Sequence, residues 1–154
     1  MNETLSITTK NSEETISLGR RLGSILKGGE ILALEGDLGA GKTTFTKGLA
    51  EGLGIPATVF SPTFTLIHEY FGPINLYHID LYRISEDEAI GDLGIEEYFD
   101  SGGVCVIEWS ERLGSWTPEE RLEIKIECIG DDERNIVLTA FGGEYDSLLC
   151  GLRG

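Results

Sequence analysis

Residues 36–43 read Gly-Asp-Leu-Gly-Ala-Gly-Lys-Thr, a complete match to the phosphate-binding pattern G-x-x-x-x-G-K-[ST]. The apolar run at residues 30–35 precedes this loop and predicts a buried strand. A stripe of apolar side chains, formed by Phe45, Leu49 and Leu53, follows the loop and predicts a helix that ends at the next glycines. Strand, glycine-rich loop and helix therefore follow in the order that the pattern requires, and together they predict a P-loop nucleotide-binding core.

The residue types in this loop suit a nucleoside triphosphate with Mg²⁺. Glycines let main-chain N–H groups approach phosphate oxygens closely, and the helix N-terminus adds a favourable dipole. Lys42 is expected to contact the β and γ phosphates, and Thr43 to give its hydroxyl to Mg²⁺. A glycine-rich turn capped by a threonine is the alternative interpretation. The nucleotide-binding residues predicted in the loop are Asp37, Leu38, Gly39, Ala40, Gly41, Lys42, Thr43 and Thr44.

A second acidic element lies further along the chain. Residues 104–107 are continuously apolar and are followed by Glu108, the form of a buried parallel strand that delivers a carboxylate at its C-terminal end. Downstream of a complete phosphate loop this pattern predicts a Walker B strand, with Glu108 reaching Mg²⁺ or its water shell. The alternative is an acid that merely begins a loop.

The remaining pattern predicts a single α/β domain over residues 1–154. Its expected core is a central, mostly parallel, P-loop NTPase-like sheet flanked by helices, with antiparallel hairpins added. A helix is expected from a capping box at Asn11 and Glu14 to about Lys27. The other expected elements are strands at 4–8, 64–70 and 76–82, two short helices within 85–99, a hairpin at 122–128 and 136–140, and a terminal helix at 144–152.

Charge is spread unevenly along the 154 residues. The net charge is −15, and residues 55–154 carry 6 Lys or Arg against 20 Asp or Glu, whereas residues 1–54 carry 6 against 7. Such an acidic chain would be repelled by RNA, DNA or an anionic membrane, so we expect it to bind neither nucleic acid nor membrane on its own. The polar N-terminus does not resemble a signal peptide, and no apolar run approaches the ~18 residues of a membrane span. These features predict a cytoplasmic protein.

The cysteines and histidines give weaker signals. The three cysteines form neither an even set nor a C-x-x-C pair, so we expect neither a disulfide framework nor a zinc site, and interpret them as small buried apolar residues. His68 and His78 lack further ligands at metal spacing and are interpreted as structural. Trp109 and Trp116 are interpreted as core or lid aromatics.

Four blocks of sequence together carry a resemblance to a known family. They are the loop at residues 36–44, Ser-Pro-Thr-Phe-Thr at 61–65, His-Ile-Asp-Leu-Tyr-Arg at 78–83, and Ile-Glu-Trp at 107–109. In order and spacing these blocks closely resemble the TsaE family, the small bacterial ATPases of tRNA threonylcarbamoyladenosine biosynthesis.

The resemblance implies roles for individual residues. Lys42 and the loop amides would hold the ATP phosphates, while Thr43 and Glu108 would bind Mg²⁺ directly or through water. Residues 61–65 would behave as a switch segment near the γ phosphate. Asp80 would lie at the active site and order the metal shell or the attacking water; the alternative is a strand-end acid paired with Arg83.

The resemblance also implies contacts to the nucleotide base. These would come from Ser12 to Thr15 on the first helix and from the neighbourhood of Arg134 on the last hairpin. Arg134 is equally explained as a hairpin residue that balances Asp131 and Asp132 across the turn.

Partners follow from the same resemblance. It implies TsaB-type and TsaD-type proteins, whose complex transfers a threonylcarbamoyl group to an adenosine of tRNA, with ATP hydrolysis needed for repeated cycles. The acidic second half is then expected to meet a more basic partner protein, and tRNA to be reached only through the complex.

Two other functions remain open from the residues. One is a P-loop kinase of a small metabolite; the other is a nucleotide-dependent binding switch with negligible turnover. A GTPase is disfavoured because the chain has no Asn-Lys-x-Asp segment. An arginine finger is not evident, although Arg83 and Arg112 could act in cis or a partner could supply one, so hydrolysis by the isolated protein is expected to be slow.

Overall fold

The computed structural model describes residues 3–36, 41–56, 67–82, 84 and 87–153. None of the helices in this part of the chain is long and apolar enough to cross a bilayer. The elements, in chain order, are β1 (Thr4–Thr9), α1 (Ser12–Ile25), β2 (Ile31–Glu35), α2 (Lys42–Gly52), β3 (Ile67–Tyr70), β4 (Leu76–Asp80), α3 (Asp87–Asp92), α4 (Ile95–Phe99), β5 (Val104–Glu108), a 3₁₀ segment (Ser110–Trp116), β6 (Arg121–Cys128), β7 (Arg134–Phe141) and α5 (Gly143–Arg153).

The strands form one sheet in the order β1-β7-β6-β2-β5-β4-β3. The four central strands, β6, β2, β5 and β4, run parallel, while antiparallel pairs close both edges. The predicted fold class, a P-loop NTPase-like α/β sheet with added hairpins, is therefore confirmed. In such sheets ligands bind beyond the carboxyl ends of the parallel strands, at the point where the strand order reverses. Here that point is the end of β2, which the glycine-rich loop follows.

Each face of the sheet carries its own apolar cluster. On one face α1, α2 and α5 cover Leu32, Leu34 and Val106. On the other face α3, α4 and the 3₁₀ segment contribute to a second cluster around Ile79 and Ile107. Because side chains alternate along a strand, the register fixes which face each polar residue shares.

Three polar residues lie on the α2 face of the sheet. Leu34 pairs with Glu108 in the β2–β5 register, and Asp80 pairs with Glu108 in the β4–β5 register. His78, two residues before Asp80, lies on the same face. The carboxyl ends of β4 and β5 therefore direct His78, Asp80 and Glu108 toward the side of the sheet that holds the first turn of α2.

Helices α1 and α2 cross at backbone distance. A Cβ atom added to Gly48 would lie 2.0 Å from the carbonyl oxygen of Ile16, and one added to Gly19 would lie 2.3 Å from that of Phe45. No larger side chain fits at either position without a shift of the backbone. This close crossing fixes the start of α1 relative to the start of α2.

The predicted element boundaries agree with the structure within a few residues. Asn11 caps α1 by accepting a hydrogen bond from the Glu14 amide at 2.9 Å, but the Glu14 carboxylate accepts from the amide of Lys10 rather than that of Asn11. Helix α1 ends at Ile25, two residues before the predicted end. In the first hairpin β4 ends at Asp80 rather than at residue 82, and residues 64–66 lie outside the described residues.

The interpretation of the cysteines as buried was wrong for two of the three. All three are free, and Cys105 is buried as expected, but Cys128 and Cys150 are exposed. Cys128 ends β6, where the strand has left the covered part of the sheet. Cys150 lies on the outer face of α5, whose apolar residues Leu148 and Leu149 are buried. Apolar character predicts burial only where a neighbouring element covers the position.

Candidate functional site

Lys42 is the first residue of α2 and follows Gly41, whose φ of 107° lies in the left-handed region that favours glycine. Its side chain is only 6% exposed. The ammonium donates a hydrogen bond to the carbonyl of Gly36 at 2.8 Å and lies 4.4 Å from the centre of the Trp109 ring. The predicted binding residues Asp37, Leu38, Gly39 and Ala40 lie outside the described residues, so their roles stay predictions. The hydrogen bond between Lys42 and Gly36 therefore joins the two ends of the loop.

Glu108 ends β5 and is 4% exposed. Its carboxylate accepts a hydrogen bond from Nε2 of His78, a fully buried residue in the middle of β4. The interpretation of His78 as merely structural missed this contact. The signal available in the sequence was the spacing of His78 and Asp80, which places both on one face of a strand.

Asp80 lies beside Glu108 at the end of the neighbouring strand. Its Oδ1 accepts a hydrogen bond from the amide of Tyr82 at 2.9 Å. Burial raises the pKa of the Asp80 carboxyl, and so does the charge of Glu108, whereas the Tyr82 hydrogen bond, His78 and Lys42 lower it. Arg83, the alternative ion-pair partner, lies outside the described residues.

These residues suit a magnesium ion that arrives with phosphates. Asp80 and Glu108 supply carboxylate oxygens at one edge of the sheet, and Thr43 is the second residue of α2. Mg²⁺ prefers oxygen ligands and is commonly held by one or two carboxylates plus substrate phosphates, with water completing its shell. No group of three or more His, Cys, Asp or Glu side chains forms a metal cage among the residues that the structure describes. Two carboxylates beside a threonine hydroxyl therefore fit a metal site that the protein shares with its substrate.

A small cavity of about 40 Å³ brings together five of the predicted cofactor-binding residues. Its lining residues are Ser12, Thr15, Gly41, Thr44, Asp132 and Arg134. Ser12 and Thr15 reach it because the glycine contacts bring α1 against α2. The cavity adjoins the first turn of α2, next to Lys42.

Arg134 holds the β6–β7 turn through main-chain carbonyls and also faces the small cavity; its contact with a nucleotide base stays a prediction. Its Nη1 donates to the carbonyls of Gly130, Asp131 and Glu133, at 3.3, 3.2 and 2.9 Å, and so holds the β6–β7 turn. The same side chain lines the small cavity. The hairpin contacts thus orient the residue that faces the cavity.

A larger cavity of about 510 Å³ opens on another side of the loop. It is lined by Glu35, Gly36, Trp109, Glu111, Lys125, Ile126, Glu127 and Cys128. Burial, and then the charges of Glu111 and Glu123, raise the pKa of Glu35. This cavity was missed because it depends on the pairing of β2 with β6, which places Glu35 beside Lys125.

Trp109 connects the catalytic candidates to the larger cavity. Its φ of 60° places it in the left-handed region, which costs a non-glycine residue about 1–2 kcal/mol. Its ring contacts Tyr82 at 4.9 Å between centroids, and the guanidinium of Arg112 lies 5.7 Å from its centre. Backbone strain of this kind concentrates at functional sites. Trp109 also packs against the apolar cluster around Ile79 and Ile107, which agrees with its interpretation as a core aromatic.

The fold and this site define an α/β protein with P-loop NTPase-like architecture. The family model for the threonylcarbamoyl adenosine biosynthesis protein TsaE matches residues 9–136. The chain is 54% identical over 143 residues to the tRNA threonylcarbamoyladenosine biosynthesis protein TsaE of Bacillus subtilis, covering 92% of this chain and 89% of that protein. The protein of the same name from Treponema pallidum is 42% identical, covering 84% and 96%.

A solved structure agrees with these sequence matches. The crystal structure of Bacillus subtilis YdiB superposes with a TM-score of 0.88 at 47% identity, covering 99% of this chain and 96% of that one. The chain belongs to the TsaE family, and the resemblance seen in the four sequence blocks is confirmed.

Proposed function

We propose that this protein is a magnesium-dependent ATPase that acts in tRNA threonylcarbamoyladenosine biosynthesis. The observation that carries the proposal is the meeting of Lys42, Asp80 and Glu108 at the carboxyl end of the parallel strands, directly beside the glycine-rich loop. The names of the TsaE relatives support the pathway. ATP is preferred over GTP because the chain lacks a guanine-reading segment.

The chain's own residues divide the work of phosphoryl transfer to water. Lys42 and the loop amides bind the phosphates and neutralise part of their charge. Thr43 and Glu108 would hold Mg²⁺, which would supply positive charge against the charge that develops on the phosphate oxygens. Asp80 orders the attacking water or accepts its proton in this proposal, which is supported by its raised pKa, because a raised pKa makes it a better base than an ordinary aspartate. Arg112, which lies near Trp109, is a candidate arginine finger in cis.

The proposed partners are TsaB-type and TsaD-type proteins in the cytoplasm. Residues 55–154 carry 20 acidic against 6 basic residues, which opposes direct contact with tRNA and favours a more basic protein surface. We expect tRNA to be reached only through the complex, and hydrolysis to be faster within the complex than alone.

Phosphate release tests this proposal. We expect slow, magnesium-dependent release by the isolated protein and faster release when TsaB, TsaD and tRNA are added. Lys42→Ala should lose most of this turnover and keep its fold, whereas Lys47→Ala, which alters an exposed lysine of the same helix, should keep both. Turnover that is fast alone and unchanged by the partners would contradict the accessory role.

The same assay separates two other functions. The larger cavity beside Gly36 could hold the acceptor of a P-loop kinase, in which case phosphate would be transferred to an added metabolite and little would be released to water. A binding switch would release no phosphate, yet its affinity for a partner would differ between ADP and a non-hydrolysable ATP analogue.

A further inference from the structure

His78 is a buried histidine that makes one polar contact with the residues that the structure describes. Its side chain is fully buried on β4, and Nε2 faces Oε2 of Glu108. Its other ring nitrogen, Nδ1, has no hydrogen-bond partner within the described residues. Buried polar atoms normally find partners. Because Nδ1 has none, the contact of Nε2 with Glu108 is the polar interaction that accounts for a histidine at this position.

This contact fixes the hydrogen on the ring. An ionised carboxylate only accepts hydrogen bonds, so Nε2 must carry the hydrogen and donate it to Glu108. Nε2–H and Oε2 therefore pair as donor and acceptor inside the sheet.

The geometry also leaves one carboxylate oxygen of Glu108 available. Oε2 is taken by His78, while Oε1 makes no hydrogen bond within the described part of the chain. His78 has little freedom to move, because it pairs with Val106 on β5 and His68 on β3 inside the sheet. Residues that orient a metal ligand in this way typically change metal affinity 10- to 100-fold when they are lost.

We propose that His78 is the positioning residue of the magnesium site, which holds Oε2 of Glu108 so that Oε1 faces the metal. This inference rests on the proposed function, because it requires Glu108 to bind Mg²⁺. His78 itself touches neither metal nor nucleotide. Its replacement should weaken the metal-linked part of nucleotide binding and leave the metal-free part unchanged.

The test measures the dissociation constant of a non-hydrolysable ATP analogue by calorimetry, once in EDTA and once in excess Mg²⁺. The ratio of the constant in EDTA to the constant in Mg²⁺ gives the factor by which the metal strengthens binding. His78→Asn should reduce this ratio about tenfold, because its shorter amide cannot reach Glu108. His78→Gln, which carries an N–H group at nearly the distance of Nε2, should keep most of the ratio. His78→Leu should behave like His78→Asn, and Glu108→Gln should lower the ratio with no further loss in the double variant with His78→Asn.

The matched control is Ile79→Val, which alters the next residue of the same strand on the opposite face. It should leave the ratio unchanged. A His78→Asn protein with the wild-type ratio, or equal ratios for His78→Gln and His78→Asn, would overturn the inference. Should wild-type protein itself gain no affinity from Mg²⁺, the proposed function fails first, and with it the role given to Glu108.

Discussion

The ammonium of Lys42 lies 4.4 Å from the centre of the Trp109 ring, so two residues 67 positions apart in the sequence form one contact at the loop. The same ammonium donates to the Gly36 carbonyl. Neither contact pairs the ammonium with a full negative charge, as a phosphate oxygen would. A bound triphosphate is therefore expected to draw Lys42 away from the indole.

The first prediction follows from this competition. In a Trp116→Phe variant, Trp109 is the single tryptophan, and its fluorescence should change when ATP and Mg²⁺ are added. The change arises because the neighbouring cation leaves the ring face. Titration of the emission against nucleotide measures it.

Lys42→Ala in the same background provides the control. Without the ammonium, nucleotide should cause little change in emission even at concentrations high enough to bind. The prediction is wrong if calorimetry shows that the Trp116→Phe protein binds nucleotide while its tryptophan emission stays constant, because the Lys42 ammonium has then not left the ring.

The second prediction concerns the crossing of α1 and α2. Gly48→Ala should destabilise the protein by about 2 kcal/mol, because the new methyl group meets the Ile16 carbonyl, a backbone atom, and overpacking then costs about 3 kcal/mol, the upper end of its usual range. The higher helix propensity of alanine offsets only about 1 kcal/mol of this. Urea denaturation measures the change.

Gly151→Ala is the matched control on α5. There the added Cβ meets only the end of the Ile25 side chain, at 3.1 Å, which can move. We expect stability equal to or slightly above that of the wild type. Equal losses in the two variants would show that the α1–α2 contact is not the cause.

The parts of the fold that depend on residues close together in the sequence could be predicted from it. The strand, loop and helix around Lys42 follow from a local pattern, and so does the buried strand that ends in Glu108. Each requires only periodicity and glycine chemistry within about twenty residues. For the same reason the terminal hairpin and helix lie close to their predicted bounds.

The parts of the site that depend on strand pairing could not be predicted. The contact of His78 with Glu108 requires β4 to lie beside β5, and the larger cavity requires β6 to lie beside β2. No local pattern in the sequence indicates which strands pair in the sheet. The contact of Lys42 with Trp109 likewise depends on the left-handed backbone at Trp109, which the sequence gives no reason to expect of a bulky residue.

The third prediction concerns stability at alkaline pH. Burial raises the pKa of the Cys105 thiol from 9.0 to about 12 and that of Tyr145 from 10.0 to about 12. Between the lower and upper values the folded state holds protons that the unfolded state has lost, so the free energy of unfolding falls as pH rises. For Cys105 the expected slope is about 1.4 kcal/mol for each pH unit within that window.

Urea denaturation at a series of pH values checks this dependence. Cys105→Ala should start from a lower stability, because it leaves a small cavity. It should lose less stability than the wild type on going from pH 9 to pH 10, where Tyr145 contributes less than Cys105 because its unfolded-state pKa is higher. If the free energy of unfolding of the variant falls as steeply as that of the wild type over that interval, Cys105 is not the source of the pH dependence.

The fourth prediction concerns the charge of the second half of the chain. Binding to TsaB and TsaD should weaken at least about tenfold as salt rises from about 0.1 M to about 1 M, because the Debye length then falls from about 10 Å to about 3 Å. The reason is the excess of acidic residues, 20 against 6, within residues 55–154. Thermal unfolding at both salt concentrations controls for a loss of fold, since the central apolar clusters do not depend on charge. Affinity that stays constant or increases with salt would mean that the contact is apolar, and the exposed Phe71 and Ile129 would then be the residues to replace.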